Sequence, residues 1–152
     1  MYRPCLPSRV KTPPSGDQWI HEIKFDGLRL LAQKEGTQIR LRTKHGADYS
    51  VRCPAIVEGL SRLKVSSIVL DGEAICITGV QQDFEKLWKR TYDHEAKLCA
   101  FDLLELNGQD FRARHCWNAS NSFSSAVRPF LRNSNERPVS GRCECGIRVQ
   151  NR

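Results

Sequence analysis

Apolar and polar residues alternate along part of the chain with the period of two that is typical of a half-buried strand. The clearest example is residues 37–44, "TQIRLRTK", where Ile39 and Leu41 fall on one face. We therefore expect a strand with an apolar inner face and a basic outer face, which consists of Arg40, Arg42 and Lys44.

Asp-Gly and Asn-Gly dipeptides interrupt the other apolar runs, and they are typical of tight hairpin turns. Asp26-Gly27 divides the run from Trp19 to Leu31 into two strands. Asp71-Gly72 follows a buried strand at residues 67–70 and precedes its antiparallel return, "EAICIT". Asn107-Gly108 turns a further strand, "KLCAFDLLEL". The pattern thus predicts two hairpins and a third turn.

Two segments have the helical period instead. Residues 53–64, "CPAIVEGLSRLK", begin with Pro54, which suits a first helical turn, and their inner stripe is Ile56, Leu60 and Leu63. Residues 82–90 predict a short second helix with an inner stripe of Phe84, Leu87 and Trp88. Mostly antiparallel strands with flanking helices predict an α+β fold.

The composition changes after about Arg112. All eight lysines lie at or before Lys97, whereas the last forty residues are rich in Ser, Asn and Arg and have weak hydrophobic periodicity. We therefore expect residues 1–112 to hold the fold and residues 113–152 to be a divergent, disordered tail. A proline-rich, basic lead-in occupies residues 1–17.

Length and charge narrow the class of protein. A chain of 152 residues can bury one sizeable core, so one domain or part of a larger one is expected. Its 24 Lys and Arg residues against 17 Asp and Glu residues give a formal charge of +7. That charge favours polyanionic partners such as nucleic acid or nucleotide phosphates, although a merely basic surface would give the same value.

The seven cysteines have no zinc-ligand spacing, so we expect no metal site in the protein itself. Cys53, Cys76 and Cys99 fall in apolar or helix-like segments, where free cysteines pack as small hydrophobes in a reducing compartment. No apolar run approaches the roughly 18 residues that span a bilayer, and the N-terminus lacks a signal-peptide core. We therefore expect a cytoplasmic protein without a membrane partner.

A lysine stands in the apolar run "HEIKFDGLRL". In a strand, Lys24 shares a face with Ile20 and Glu22. An amine becomes a nucleophile only when it is deprotonated, and desolvation or a nearby cation such as Arg29 lowers its pKa. Gly27 would let the backbone approach a ligand closely. For an isolated K-x-D-G, ordinary strand-end charges around a hairpin are the preferred explanation.

Four segments together are more specific than K-x-D-G alone. "EIKFDGLR" resembles motif I of the covalent nucleotidyltransferases, which are DNA ligases, RNA ligases and mRNA capping enzymes. "LRTKHGADYS", "VLDGEAIC" and "AFDLLELNGQDFR" are similar to later motifs in the same order, and Glu73 lies 49 residues after Lys24. "PPSGDQWIHEIKFDGLRL" is similar to bacterial ATP-dependent DNA ligases of the end-joining type, and the resemblance covers roughly residues 1–112.

The resemblance implies part of an adenylation domain of the ATP-grasp-like DNA ligase fold. It implies ATP and a divalent metal ion, magnesium or manganese, as cofactors, with nicked double-stranded DNA and other end-joining proteins as partners. Lys24 would attack the α-phosphate of ATP and later pass AMP to a nick 5′-phosphate. The implied nucleotide-binding residues are Glu22, Ile23, Arg29, Glu73 and Phe101.

Each of these roles follows from the family motif and fits the chemistry of the side chain. Glu22 would accept from the adenine amino group and Glu73 from a ribose hydroxyl. Arg29 would touch the ribose or the nick phosphate. Phe101 would stack on adenine, since an aromatic face suits a purine. Without the motif order, a hairpin charge would be the preferred interpretation of Glu73 and a core aromatic that of Phe101.

The second motif departs from the family pattern T-R-N-G, because this chain has Thr43, Lys44, His45 and Gly46. Lysine keeps the charge but lacks the planar fork of arginine, so we expect weaker phosphate recognition there. Arg42 and Lys44 are the candidate nucleic-acid contacts. His45 fits a solvated turn as well as a contact.

The resemblance also predicts motifs that this sequence does not contain, an E-G-x-V-x-K segment and a later lysine pair. An oligonucleotide-binding domain is likewise expected in the family and missing. We therefore expect a truncated adenylation domain with a frameshifted tail and impaired chemistry. Two alternatives stay open: a catalytically silent module that binds nucleic acid or nucleotide, and an mRNA capping nucleotidyltransferase with a preference for GTP.

Overall fold

Antiparallel strands dominate the computed structural model, which describes residues 11–16, 19–78, 81–90, 92–112 and 147–151, with the backbone alone at 19–23, 78, 81 and 147–151. In chain order the elements are β1 (Trp19–Ile23), β2 (Leu28–Glu35), β3 (Gln38–Thr43), α1 (Pro54–Ser61), β4 (Ser67–Ile75), β5 (Ile77–Thr78), β6 (Gln81–Gln82), α2 (Phe84–Trp88), a 3₁₀ helix (Asp93–Glu95), β7 (Lys97–Leu106), β8 (Gln109–Asp110) and β9 (Ile147–Asn151).

Three separate sheets contain these strands. The central one has five antiparallel strands in the order β3-β2-β4-β7-β8, and two-stranded sheets pair β1 with β9 and β5 with β6. The expectation of a tail without strands is wrong at its end, because β9 pairs along the whole of β1. The rest of that tail, residues 113–146 and 152, lies outside the described residues, as do residues 1–10.

One face of the central sheet packs against α1 and forms the hydrophobic core. Strand alternation places Leu30 and Ala32 of β2 on this face, and both are completely buried. Ile56 and Leu60 of α1 belong to the same apolar cluster. The opposite face of β2 and β4 carries charged side chains beside the buried Val69 and Ile75, and it holds the candidate site.

Several predicted elements are confirmed. The strand at β3 buries Leu41 and leaves Arg40 exposed, as its alternation requires. Helix α1 begins at Pro54 and buries Ile56 and Leu60 of the predicted stripe, whereas Leu63, also buried, lies beyond the end of the helix at Ser61. The strand "KLCAFDLLEL" is β7 from its first residue to its last. Among the described residues no helix is long and apolar enough to cross a membrane.

Both Asp-Gly hairpin predictions are wrong. Asp71-Gly72 lies inside the continuous strand β4, and Asp26-Gly27 joins two strands that belong to different sheets. A tight hairpin of the primed type needs positive φ, which Gly27 and Gly72 do not have. At Asn107 and Gly108 the φ angles are 50° and 83°, and there the predicted turn between β7 and β8 is confirmed.

The inner stripe predicted for the second helix is only partly correct. Leu87 of α2 is completely buried, but Trp88 is 72% exposed and its ring stacks on that of Phe84, with centroids 6.0 Å apart. The three residues share one helical face, but of α2 only Leu87 is buried in the core. Asp83 caps its N-terminus by accepting from the Lys86 backbone N–H at 3.2 Å.

A buried lysine ties α1 to the sheet. Lys34 lies on the core face of β2 with 6% of its surface exposed, and its Nζ donates to the carbonyls of Ser61 at 3.3 Å and Leu63 at 2.5 Å. Carbonyls at a helix C-terminus lack intrahelical donors, and the macrodipole favours a cation there. Lys34 therefore satisfies the end of α1, a role that its sequence position does not reveal.

An ion pair joins the segment before α1 to the 3₁₀ helix. The Nε of Arg52 lies 2.5 Å from Oδ2 of Asp93, and its Nη2 donates to the Leu87 carbonyl at 3.1 Å. The guanidinium carbon also lies 4.2 Å from the centre of the Tyr49 ring. These contacts fix α2 and the 3₁₀ helix to the segment that precedes α1.

Candidate active site

Strands β2 and β4 bring an arginine and two carboxylates together on the polar face of the sheet. Arg29 lies opposite Glu73, and Asp71 is the next residue of β4 on the same face. Arg29 donates to Asp71 through two nitrogens, Nε to Oδ1 at 3.0 Å and Nη2 to Oδ2 at 2.7 Å. The side chains are 15% and 4% exposed, so this two-point ion pair is largely removed from water.

Two bulges in β7 bring the aromatic residue to the same place. The register of β7 on β4 shifts between Val69 and Leu70 and again between Asp71 and Gly72, and the second shift inserts Phe101 between Ala100, opposite Gly72, and Asp102, opposite Asp71. A bulge bends its strand and redirects side chains. The guanidinium carbon of Arg29 lies 5.5 Å from the centre of the Phe101 ring, a cation–π distance.

Glu73 connects this cluster to the segment that carries the lysine. Its carboxylate accepts a hydrogen bond from the Gly27 backbone N–H. Burial raises the pKa of the Glu73 carboxyl above its ordinary value, while the positive charges of Arg29 and Lys24 act in the opposite direction. Because the positive charges of both residues favour the ionised form, the Glu73 carboxylate is a suitable acceptor for a ligand hydroxyl.

The raised pKa of Glu73 predicts a pH dependence of stability. An acid that binds its proton more tightly in the folded state stabilises that state at low pH, and this contribution is lost as the pH rises through the folded pKa. From about pH 4 upward, wild-type protein should therefore lose free energy of unfolding relative to Glu73→Gln. Urea unfolding of both proteins at a series of pH values measures the difference in free energy of unfolding. A difference that does not change with pH would contradict the predicted pH dependence.

Lys24 lies in the segment that joins β1 to β2, residues 24–27, which we term the Lys24 link. Lys24 is exposed, and the link passes from the two-stranded sheet to the central one. Gly27 packs so tightly against β4 that a Cβ there would lie 2.1 Å from the Ala74 carbonyl oxygen. Close packing, rather than a positive φ, thus requires this glycine, which corrects the hairpin interpretation.

Gly27→Ala is expected to destabilise the protein by about 1–3 kcal/mol, because the new methyl group must displace β4 or the Lys24 link. Gly59→Ala is the matched control. Gly59 lies within α1, no atom comes within 4 Å of a Cβ built there, and alanine should stabilise the helix by up to about 1 kcal/mol. Urea unfolding of the two variants should shift in opposite directions, and a shared direction would refute the packing argument.

The other predicted site residues lie at the edges of this cluster. The backbones of Glu22 and Ile23 belong to β1, and their side chains lie outside the described residues. Arg42 is half-buried at the edge strand β3, and Lys44 is exposed just beyond it. The structure thus brings Arg29, Glu73 and Phe101 together, with Lys24 on the adjoining link, and places Arg42 and Lys44 on a separate basic edge.

Asp71 belongs to the cluster, although its sequence context indicates only a turn at Asp71-Gly72. The apolar residues of "IVL" before it and "AIC" shortly after it place the aspartate within a buried strand. A carboxylate in the middle of a buried strand requires a cation partner. That requirement was the available signal, and Arg29 was the available cation.

In the described part of the chain no group of three or more His, Cys, Asp or Glu side chains is placed to hold a metal ion. The two carboxylates of the cluster already have partners, since Asp71 binds Arg29 and Glu73 accepts from Gly27. The three cysteines of this part, Cys53, Cys76 and Cys99, are free thiols. Burial raises the pKa of Cys53 to about 11, which makes its thiol unreactive.

Comparison with known proteins identifies relatives of this chain. The family model for the ATP dependent DNA ligase domain matches residues 8–137. The SPbeta prophage-derived DNA ligase-like protein LigB of Bacillus subtilis is 32% identical over 117 residues, which are 73% of this chain and 42% of that protein. The multifunctional non-homologous end joining protein LigD of Pseudomonas aeruginosa is 32% identical over 113 residues, 72% of this chain and 13% of that protein.

Solved structures of DNA ligases also match this chain. The crystal structure of the ligase domain of LigD from M. tuberculosis matches with a TM-score of 0.63 and 28% identity, over 74% of this chain and 38% of that one. A mycobacterial DNA ligase D complexed with ATP and MES matches with a TM-score of 0.62 and 28% identity, over 73% of this chain and 37% of that one. The chain spans less than half the length of these relatives. Both matches confirm the predicted α+β adenylation-domain fold, and the chain belongs to the family of ATP dependent DNA ligase domains.

Proposed function

We propose that this chain is the lysine-bearing part of a DNA ligase adenylation domain and that Lys24 takes up AMP from ATP. The observation that carries the proposal is the contact between the Lys24 link and Glu73. Through it, the segment that bears the amine is fixed to the cluster of Arg29, Asp71 and Phe101. Family membership supplies the reaction class.

The proposed step forms one bond and breaks one. The neutral Nζ of Lys24 attacks the α-phosphorus of ATP, a nitrogen–phosphorus bond forms, and the bond from that phosphorus to the bridging oxygen breaks. Pyrophosphate leaves, and solvent takes the proton of the amine. Because Lys24 is exposed, the desolvation that favours its neutral form must come from the bound nucleotide covering the amine.

The nucleotide roles of the surrounding residues are proposals of the same kind. Glu73 would accept from a ribose hydroxyl, while Glu22 and Ile23 would contact the adenine from β1. Arg29 would contact the ribose or a phosphate, although Asp71 already takes two of its five donors. Since the Arg29 guanidinium lies over Phe101, adenine must stack on the opposite ring face or displace that guanidinium.

A divalent ion, magnesium or manganese, would enter with the triphosphate. The described residues offer no cluster of ligands for it, so its oxygen ligands would come mainly from phosphates and water. The ion would neutralise charge on the phosphates as pyrophosphate leaves. Within the protein, the described residues contribute the orientation of Lys24 and of the nucleotide.

We also propose nicked double-stranded DNA as the acceptor of AMP, in a reducing, cytoplasmic compartment. Three free thiols in the described part fit such a compartment. The relatives named as non-homologous end joining proteins make other end-joining factors suitable partners. The basic edge of the sheet, Arg42 and Lys44, is the proposed contact with the DNA backbone.

Intact-mass measurement of purified protein after incubation with magnesium and either ATP or GTP tests the proposed step. An AMP-sized increase that requires ATP is expected. A GMP-sized increase would instead support a capping-type nucleotidyltransferase. If a folded protein binds nicked DNA but gains no mass with either nucleotide, the proposed catalytic function is wrong and a silent binding module takes its place.

Replacing both Arg42 and Lys44 by alanine should weaken binding to nicked duplex DNA and flatten its salt dependence. Each phosphate contact contributes about one counterion to the slope of log K against log salt, so the slope should fall by about 2. Fluorescence anisotropy over roughly 50 to 200 mM salt measures it. Arg62→Ala, an exposed arginine paired with Glu58 beyond α1, is the control and should leave the slope unchanged. Equal slopes for all three proteins would exclude this edge as the DNA contact.

A further inference from the structure

The Lys24 link is fixed at three points, and one of them is a side chain from a distant part of the sequence. Gly27 contacts β4 through its N–H and through its missing Cβ. The third point is Asp26, whose backbone N–H donates to Oε1 of Gln82 at 2.6 Å, across 56 residues of sequence. Because Asp26 lies between Lys24 and Gly27 in the link, this bond acts closer to the amine than the contacts of Gly27.

Gln82 is well placed to act as a fixed acceptor. It is the last residue of β6 and pairs with Ile77 of β5. The next residue, Asp83, donates its backbone N–H to the Cys76 carbonyl at 3.0 Å and caps α2 with its side chain. Backbone contacts on both sides of the Gln82 Cα therefore limit its movement. Helix α2 is in turn held by Arg52, which donates to the Leu87 carbonyl.

We infer that Gln82 is a positioning residue for Lys24: its side-chain oxygen holds the Asp26 N–H and thereby fixes the backbone of the Lys24 link. This inference rests on the proposed function, since it concerns the geometry of the proposed nucleophile. An attacking amine must approach phosphorus in line with the leaving oxygen, and a misplacement of about 1 Å can reduce a rate about a hundredfold. The hairpin of β5 and β6 thus serves the site without contacting the substrate.

Two variants of Gln82 separate the hydrogen bond from the packing. Gln82→Met keeps the length and volume of the side chain but removes the acceptor. Gln82→Glu keeps an oxygen acceptor at the same position and should preserve the contact. Gln109→Met, an exposed glutamine of β8 at the far edge of the sheet, is the matched control for the loss of a surface amide.

The first measurement is amide hydrogen exchange at Asp26 by NMR, which reports on the link whether or not the protein has activity. Exchange at Asp26 should be about tenfold faster in Gln82→Met than in wild type, and close to wild type in Gln82→Glu and Gln109→Met. Equal exchange in all four proteins would overturn the inference, since the bond would then not hold the link.

The second measurement is the rate of AMP transfer to the protein at several ATP concentrations. Gln82→Met should lower the rate at saturating ATP about tenfold and leave the apparent KM for ATP unchanged. The separate variant Gln82→Glu should keep the wild-type rate. A raised KM with an unchanged maximal rate would overturn the positioning role. If wild type forms no adduct, the proposed function fails, and the exchange result alone decides whether Gln82 holds the link.

Discussion

Lys24→Ala is expected to abolish the ATP-dependent gain in mass completely. The neutral amine of Lys24 is the proposed nucleophile, and alanine offers no atom that could form the nitrogen–phosphorus bond. The side chain is exposed, so its removal should leave the fold and its stability unchanged. Intact-mass measurement after incubation with ATP and magnesium, together with circular dichroism of the same samples, checks both expectations.

Lys64→Ala is the control for Lys24→Ala, because Lys64 is also exposed and lies beyond α1, away from the site. It should gain mass as wild type does. If the Lys24 variant still gained an AMP-sized mass, another residue would be the nucleophile and the assignment of Lys24 would be wrong. Mapping of the modified peptide would then identify that residue.

Asp71→Asn should lower the free energy of unfolding by about 3 kcal/mol, since it leaves the Arg29 guanidinium largely buried without a countercharge. Asparagine has the same shape as aspartate, so the loss reports on charge and hydrogen bonding rather than on a cavity. Chemical unfolding measured by circular dichroism determines the difference. The variant should also form AMP adduct more slowly, because Arg29 and the Phe101 ring that it covers lose their fixed arrangement.

Asp110→Asn is the matched control for this ion pair. Asp110 also makes a two-point contact with an arginine, Arg112, but both side chains are about half exposed. Water already solvates such a pair, so its removal should leave the unfolding midpoint unchanged. If the variants at Asp71 and Asp110 unfolded at the same denaturant concentration, burial of the Arg29 pair would contribute nothing to stability.

Most of the strands were predictable because alternation and β-branched residues identify them locally. The hairpins were not. Asp-Gly predicts a turn only when the backbone adopts positive φ, and at Asp71-Gly72 the pairing with β2 and β7 keeps the strand extended instead. On the site face of β7 the residues opposite β4 are Cys99, Asp102 and Glu105, three residues apart because of the two bulges. A period-two pattern therefore could not assign this face correctly.

Family motifs placed the candidate site better than periodicity did. Arg29, Glu73 and Phe101 come from three strands, and their convergence depends on the register of β2, β4 and β7, which no local signal specifies. Their motif order alone predicted that they belong together. Asp71 and Gln82 carry no motif-based expectation, so only the three-dimensional contacts reveal them.

The predicted boundary at residue 112 stays a prediction. The match to the ligase family model extends to residue 137, which is 25 residues past it. Translation of the encoding DNA in its other two frames tests the frameshift hypothesis. If no E-G-x-V-x-K segment appears downstream in any frame, the frameshift explanation is wrong.

The Lys24 link also determines how the protein should respond to proteases. Trypsin cleaves after lysine, and Lys24 is exposed at the point where the chain leaves one sheet for another. A cut between Lys24 and Phe25 would detach the amine and β1 from the covalent chain that continues into β2. The anchors at Asp26 and Gly27 keep the residues just after this bond from unfolding into an extended protease substrate. Resistance to limited digestion at this one bond thus measures how firmly the nucleophile is joined to its site.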